Sequence, residues 1–271
     1  MVQVKALTNN KKNYKVILTT PNGETFEHQV SQDIVVEYRL IEGKILDDFA
    51  FLRFKNDLQK DQWTQKVIAK IQRKPQTEAE VRQYLESHFV SKEDTNAIIS
   101  KCKRLKLLDD VAFVKHFVDY HLHVKMMGPK RLEFELQNRG IDLPLIQMEL
   151  TQIPQELYQK HLSRQWEKMH ITYQKIPYQK RIEKAKTKWM ELGYPYSMIT
   201  TFLQGCRPSE EDDKTDHHLL LKDAQKIQAR LQKDGLTGYE LERKLLTKLL
   251  AKGYSYSKIK ETFQGGFNDE S

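Results

Sequence analysis

The side chains with most chemical potential in this 271-residue chain are cations. Between positions 160 and 190 it carries nine of them, Lys160, Arg164, Lys168, Lys175, Lys180, Arg181, Lys184, Lys186 and Lys188. Only Glu167 and Glu183 oppose them, a local excess of seven (nine minus two). Lys180, Lys184 and Lys188 recur every four residues, a spacing that lines them up along one side of a helix. Arg164, Lys168 and Lys175 stand off the apolar stripe of the segment before. A second cluster, 101–131, has eight Lys/Arg against Asp109, Asp110 and Asp119, an excess of five (eight minus three). In it Lys125, Lys130 and Arg131 surround a Gly128-Pro129 turn, and Arg139 follows closely. Ridges of this kind neutralise phosphates or an acidic protein groove; the plainer alternative is a solvated helix face. The formal net charge of +8 points to the same anionic partners.

Other chemistry finds less material. His116, His121 and His123 share a predicted helix, but His121 and His123 are two apart and face different ways, so they make no metal site. His217-His218 beside Asp212, Asp213 and Asp216 read as an acidic loop. Asp47-Asp48 and Asp109-Asp110 look like paired carboxylates, yet they open apolar-periodic runs and serve as helix caps. No Gly-rich phosphate loop is present. Cys102 and Cys206 are far apart and build neither a disulfide framework nor a zinc ribbon. No catalytic residue, metal or cofactor is therefore expected, and the chain reads as a non-enzyme. Trp166, Tyr173 and Trp189 lie on apolar stripes and read as core. Tyr178, Tyr194, Tyr196, Tyr254 and Tyr256, near helix junctions, are the candidates for exposed contact.

The elements that must carry these residues fall in two classes. Asn13–Thr20 and Thr25–Val30 are β-prone runs flanking Pro21-Asn22-Gly23, a hairpin signal. Another strand is expected near Val2–Leu7, and Ser31 is expected to cap a short helix running to about Leu40. Residues 1–46 thus form a small β-rich module. From Asp47 on the pattern is helical and repeats. Leu46-Asp-Asp-Phe-Ala-Phe51 returns as Leu108-Asp-Asp-Val-Ala-Phe113. Gly193-Tyr-Pro-Tyr-Ser-Met-Ile-Thr-Thr-Phe-Leu-Gln-Gly205 returns sixty residues later, from Gly253 to Gly265. A third copy begins at Gly140. These glycines end helices in the left-handed conformation that glycine adopts cheaply.

Each repeat resolves into three helices. Their stripes run through Phe113, Phe117, Tyr120, Val124 and Met127, and through Leu162, Trp166, Met169, Tyr173 and Ile176. The expected organisation is a first, divergent helical unit at 47–107, with Val81, Leu85, Ile98, Cys102 and Leu105 apolar and His88-Phe89 where later units have glycine. Three-helix units follow at 108–153 and 154–206, then an acidic loop or linker at 207–217 and a fourth unit at 218–271. The fold class is mainly α: tandem three-helix repeats forming an elongated curved body behind the β-module. The N-terminus shows no apolar signal segment and no stretch is long enough to span a bilayer, so a cytoplasmic monomer is expected.

Leu108-Asp109-Asp110 with Phe113, followed by Gly128-Pro-Lys-Arg-Leu-Glu-Phe-Glu-Leu-Gln-Asn-Arg-Gly-Ile141, resembles the central motif of the RecX family. There an Asp-Asp-x-x-Phe helix start precedes Gly-x-x-[Lys/Arg]-Leu-x-x-x-Leu-x-x-[Lys/Arg]-Gly-[Ile/Val]. Leu132, Leu136, Arg139, Gly140 and Ile141 fall on it one by one. The likeness runs over about 60–265 and is sharpest over 107–146; with its β-module and fourth unit the chain resembles the longer forms of low-GC Gram-positive bacteria. It departs at Tyr120-His121-Leu122-His123, where the family often places arginine. The resemblance implies binding in the groove of the RecA filament on single-stranded DNA. It further implies inhibition or retuning of recombinase, ATPase and co-protease activity, bearing on recombination, repair and the SOS response. Composition and spacing alone describe a basic helical-repeat protein, for which binding nucleic acid independently of RecA is the alternative.

Overall fold

Alternating apolar residues build the first layer. In the computed structural model, which describes residues 1–10 and 13–263, four strands form one antiparallel sheet: β1 (Val2–Asn10), β2 (Asn13–Thr19), β3 (Thr25–Val30) and β4 (Ile45–Leu46), in the order β3-β2-β1-β4. Val16 and Leu18, two apart and so on one face, are fully buried, and Val4 pairs opposite Leu18. Gly23, at φ +84°, closes the β2–β3 turn. The sheet shares its core with α1 (Gln32–Glu37) and the first turns of α2 (Asp48–Arg73), around Ile34, Leu40, Phe54 and Leu58. The Ser31 hydroxyl makes no capping bond, and α1 stops at Glu37, short of Leu40. Instead the Ser31 backbone N–H donates to the buried Asp61 carboxylate of α2 at 2.9 Å. A neighbouring helix supplies the acceptor that the local sequence assigned to the serine.

The other helices come in triplets along the chain. With α2 go α3 (Glu78–Glu86) and α4 (Lys92–Arg104); then α5 (Asp110–His123), α6 (Pro129–Asn138) and α7 (Leu143–Leu150). These are followed by α8 (Gln155–Thr172), α9 (Tyr178–Glu191) and α10 (Tyr196–Gln204), and by α11 (Glu210–Lys233), α12 (Gly238–Ala251) and α13 (Tyr256–Thr262). The first aspartate of each Asp-Asp pair is a cap: Asp47 accepts from the Ala50 N–H at 2.7 Å and Asp109 from Ala112 at 3.0 Å. Gln264 and Gly265, the end of the second glycine motif, lie outside the described residues, as does the rest of the expected fourth unit to 271.

Contacts divide the chain into two compact units, Met1–His116 with Leu136–Leu145, and Phe117–Glu135 with the chain from Ile146 on. Within the first, the end of α6 meets the start of α3. Gly140 has φ +74°, and a Cβ there would collide with Ala79. The Thr77 hydroxyl donates to the Arg139 carbonyl at 2.6 Å, and Asp110 accepts from the Glu78 N–H at 2.9 Å. Within the second unit the same joint recurs. Gly193 (φ +83°) leaves no room for a Cβ against Arg131, and Gly253 (φ +95°) would place one 3.2 Å from the Lys180 Cβ. The Lys130 N–H donates to the Gly193 carbonyl at 3.1 Å and Gly128 to Leu192 at 2.7 Å. Asp216 accepts from the Tyr178 N–H at 3.0 Å. Helix ends whose backbone groups would otherwise lack partners thus satisfy one another.

Four expectations need correction. Residues 207–217 are not a linker: Ser209 and Asp212 form a capping box, and Glu210 to Asp213 fill the first turn of α11. The positive end of the helix dipole favours that acidic run. On α5 the buried row is Phe113, Val114, Val118 and Leu122, while Tyr120 and Val124 face outwards; two apolar rows lie side by side on this helix, and spacing alone does not choose between them. Tyr178, Tyr194 and Tyr254 are buried. The hydroxyl of Tyr194 reaches the Met126 carbonyl (3.0 Å) and that of Tyr254 reaches Asp223 (2.9 Å). Tyr196 and Tyr256 are exposed as expected, and so is Leu105, which was expected to be apolar core.

Two glycines with the same φ separate conformational strain from lack of room. Gly235 also has positive φ (+84°) but open space around it. Gly235→Ala is expected to cost about 1–2 kcal/mol of left-handed strain. Gly193→Ala adds overpacking of about 1–3 kcal/mol. Urea unfolding midpoints of the two variants against the parent chain check the difference.

Candidate binding surface

The basic cluster sits on two adjacent helices. Leu162 on α8, with Ala185 and Trp189 on α9, are fully buried, which turns the remaining faces of both helices outwards. Arg164 and Lys168 on α8, Lys175 in the following turn, and Lys184 and Lys188 on α9 are all exposed, with Lys180 half-buried. An open cleft of about 500 Å³ runs between the helices, lined by Met169, Tyr173, Lys180, Lys184 and Lys188 and by Glu183 and Glu191. Its own excess is one positive charge (three minus two), smaller than the running sequence count suggests. Lys180 pairs with Glu183 at 2.6 Å, and the Lys184 ammonium lies 5.1 Å from the Tyr173 ring centroid. Arg164, Lys168, Lys175 and Lys188 meet no carboxylate among the described residues, nor do the exposed Lys125 and Lys130.

Arg181 does not belong to this surface. It is 1% exposed. Its Nη1 donates to Asp212 at 2.8 Å and its Nε to the Ile176 carbonyl at 3.0 Å, with Asp216 3.8 Å from Nη2. His170 stands 3.0 Å from Asp212, and Lys258 reaches Asp213 at 2.6 Å and Asp216 at 3.4 Å. One residue beyond Lys180 on a helix is a rotation of about 100°, enough to turn Arg181 from the ridge into the acidic start of α11. Burial pushes the Asp212 carboxyl up, but hydrogen bonds from Ser209 and Arg181, with His170 nearby, outweigh it and hold the group below the ordinary aspartate range.

Arg139 and Arg131 are also structural. The Arg139 Nε pairs with Glu80 at 2.9 Å and its guanidinium stacks 4.6 Å from the Phe113 centroid. Arg131 pairs with Glu135 at 2.8 Å and backs onto Gly193. A second basic cleft, also about 500 Å³, escaped the sequence reading: Lys226 and Arg230 on α11 face Lys248 on α12 and Lys252 just past its end, with Asp223 and Asp234. The pairs are each i, i+4, but lie on different helices with acids between, so a running charge count hides them. Only the i, i+4 spacing was available as a signal. Among the described residues no group of three or more His, Cys, Asp or Glu is arranged to hold a metal ion, and no helix is long and apolar enough to cross a membrane.

No family model matches the chain. Individual proteins do. It is 28% identical to the regulatory protein RecX of Oceanobacillus iheyensis over 276 residues, covering 100% of both chains. Against the regulatory protein RecX of Lactococcus lactis it is 27% identical over 96% of each, and against that of Bacillus pumilus 25% over 98% of each. A crystal structure of regulatory protein RecX shares the fold, with a TM-score of 0.59 over 75% of this chain and 100% of that one, at 19% identity. Along its whole length the chain is similar to RecX proteins.

In this chain the motif at 128–141 is architecture. Gly128 approaches the Gly193 carbonyl carbon so closely that a Cβ would stand 2.5 Å from it. Leu132 and Leu136 are fully buried, Ile141 nearly so, Arg139 holds Glu80, and Gly140 fits against Ala79. The motif marks the joint between helices, and most of the exposed cations, Lys130 and Arg131 excepted, lie outside it.

Arg181→Met, which leaves two buried carboxylates without their guanidinium, is expected to cost about 3–5 kcal/mol. Because the folded Asp212 carboxyl is held below its unfolded value, its stabilisation is present above the ordinary aspartate pKa. It is lost as pH falls through the depressed folded value. Asp212→Asn therefore flattens the fall of stability over about pH 2–5, read from urea midpoints at each pH.

Proposed function

We propose that this RecX-family regulator binds the RecA filament on single-stranded DNA and inhibits it, lowering its recombinase, ATPase and co-protease activities and so restraining recombination, repair and the SOS response. The names of its relatives supply the regulatory role. The observation that carries the rest is the sorting of the cations. Arg181 and Arg139 are spent on holding helices together, while Arg131 and Lys180 pair within their own helices. Lys184 and Lys188 stay exposed in one cleft, with Arg164, Lys168 and Lys175 exposed on α8 and the turn after it, and Lys226, Arg230 and Lys248 stay exposed in another. Such groups suit an acidic protein groove or the phosphates of bound DNA.

On this reading the chain acts in the cytoplasm as a monomer and needs no reaction of its own. It works by favouring one filament state over another, and several weak basic contacts act together through their shared attachment. Lys184 beside Tyr173 favours a second reading, direct binding of single strands, since an aromatic ring with an adjacent cation supports an unpaired base.

Single-strand-dependent ATP hydrolysis by RecA, titrated with the chain below equimolar ratio, decides between them. Inhibition by the parent chain is expected, with Lys168→Glu/Lys184→Glu/Lys188→Glu requiring at least about tenfold more protein, a loss of ~1.4 kcal/mol. Unchanged hydrolysis at equimolar protein overturns the filament reading. Affinity for bare single strands with a log–log salt slope near −4, about six phosphate contacts, would then establish the second.

A further inference from the structure

The glycine joints leave one helix end out. Three second helices finish with the same pair of backbone bonds. Gly140, Gly193 and Gly253 donate to Gln137, Met190 and Leu250 at 2.8–2.9 Å, and the next residues, Ile141, Tyr194 and Tyr254, donate to Leu136, Trp189 and Leu249. Each glycine lies at positive φ against the first turn of an earlier second helix, α3, α6 or α9 in turn. Helix α3 finishes identically: Phe89 donates to Glu86 at 3.0 Å and Val90 to Leu85 at 3.2 Å, with Phe89 at φ +58°. None of the described residues packs there. Phe89 is 97% exposed, the most exposed large apolar residue among those described.

Positive φ alone does not single it out, since Arg39, Lys106 and Met126 share it. Its position does. It is the point where the other three triplets carry glycine because a Cβ would not fit, or would fit tightly. At the far end of the series the start of α12 is the counterpart that no glycine turn covers. Thr237 gives it no side-chain cap, Gly238 has open space around it, and Tyr239 is 70% exposed. The chain thus carries both halves of one further joint, and an end-to-start contact between copies would be head-to-tail, leaving one half free at each end of a pair.

We propose that Phe89 is a stop: its side chain occupies the place of the joint glycine and prevents the α3 end of one copy from seating on the α12 start of another. Glycine would relax the backbone there, because an L side chain at positive φ is strained. The aromatic ring is kept where it costs local strain and gains no burial. The partner that it excludes is a second copy of this chain.

Sedimentation velocity on the full chain over a concentration series tests this. The parent chain and Phe89→Ala, both with a Cβ, are expected at monomer mass. Phe89→Gly is expected to rise with concentration to at least about twice that mass, as open head-to-tail association requires. Thr237→Trp, placed at the cap position of α12, is expected to return Phe89→Gly to the monomer. A folded Phe89→Gly chain that stays monomeric overturns the proposal. So does a parent or Phe89→Ala chain that associates as readily, or an association that Thr237→Trp leaves unchanged.

Discussion

An α-carbon without a side chain, held at positive φ against the first turn of another helix, is the contact on which the helical part of this protein depends. Its physical content is threefold. The turn directs the last carbonyls of one helix outwards, the missing Cβ lets backbone approach backbone, and the start of the facing helix offers N–H groups that need acceptors. The negative end of one helix dipole then lies at the positive end of another. At Gly193 the arrangement is explicit, with the Leu192 and Gly193 carbonyls taken up by Gly128 and Lys130. Carboxylates complete other joints: Asp110 at the start of α3 and Asp216 at the start of α9 accept from the first helical N–H. At 109–110 the second aspartate therefore serves a different helix from the first, whereas at 47–48 it meets the Met1 amine.

That constraint also sorts the charges. A cation beside a joint is drawn into it, as Arg139 is by Glu80 and Arg181 by Asp212. Cations one helical face away stay in water, where isolated surface pairs contribute only about 0–1 kcal/mol. Their exposure is not required by the fold, since no carboxylate or ring claims Arg164, Lys168, Lys175 or Lys188 among the described residues. The proposed regulatory surface is what the architecture leaves over, which is why mutations there and in the motif should separate binding from folding.

Much of the architecture was legible because its signals are local. Asn22-Gly23 between two β-prone runs, Asp47 and Asp109 before apolar runs, and glycines 140, 193 and 253 each act within a few residues of themselves. What stayed hidden depends on partners distant in sequence. The acidic run 209–216 looks solvated until Arg181 and Lys258 are placed beside it. Tyr194 and Tyr254 look available at a junction until the Met126 carbonyl and Asp223 are seen to receive their hydroxyls. Arg181 differs from Lys180 by one position, and only the approach of α11 distinguishes anchor from ridge. The α11–α12 cleft brings Lys226 and Arg230 of one helix to Lys248 and Lys252 across a turn, with acids between them, so a running count of charge does not mark it.

The buried ion cluster is an odd choice for stability alone. Desolvating Arg181, Asp212 and Asp216 is expensive, and well-packed apolar residues of similar volume often do as well or better. The cluster supplies what an apolar contact lacks, a fixed register. Asp212 is held by Ser209 and Arg181, Asp216 by the Tyr178 N–H, and Arg181 by the Ile176 carbonyl. A slide of α11 by one turn would separate these groups while leaving each still desolvated. The apolar core of the last triplet, around Leu220, Ala224, Leu241, Leu245 and Leu249, could accommodate small shifts at modest cost. The ion cluster could not, and it therefore fixes α11 against α9 so that the Gly253 turn meets Lys180.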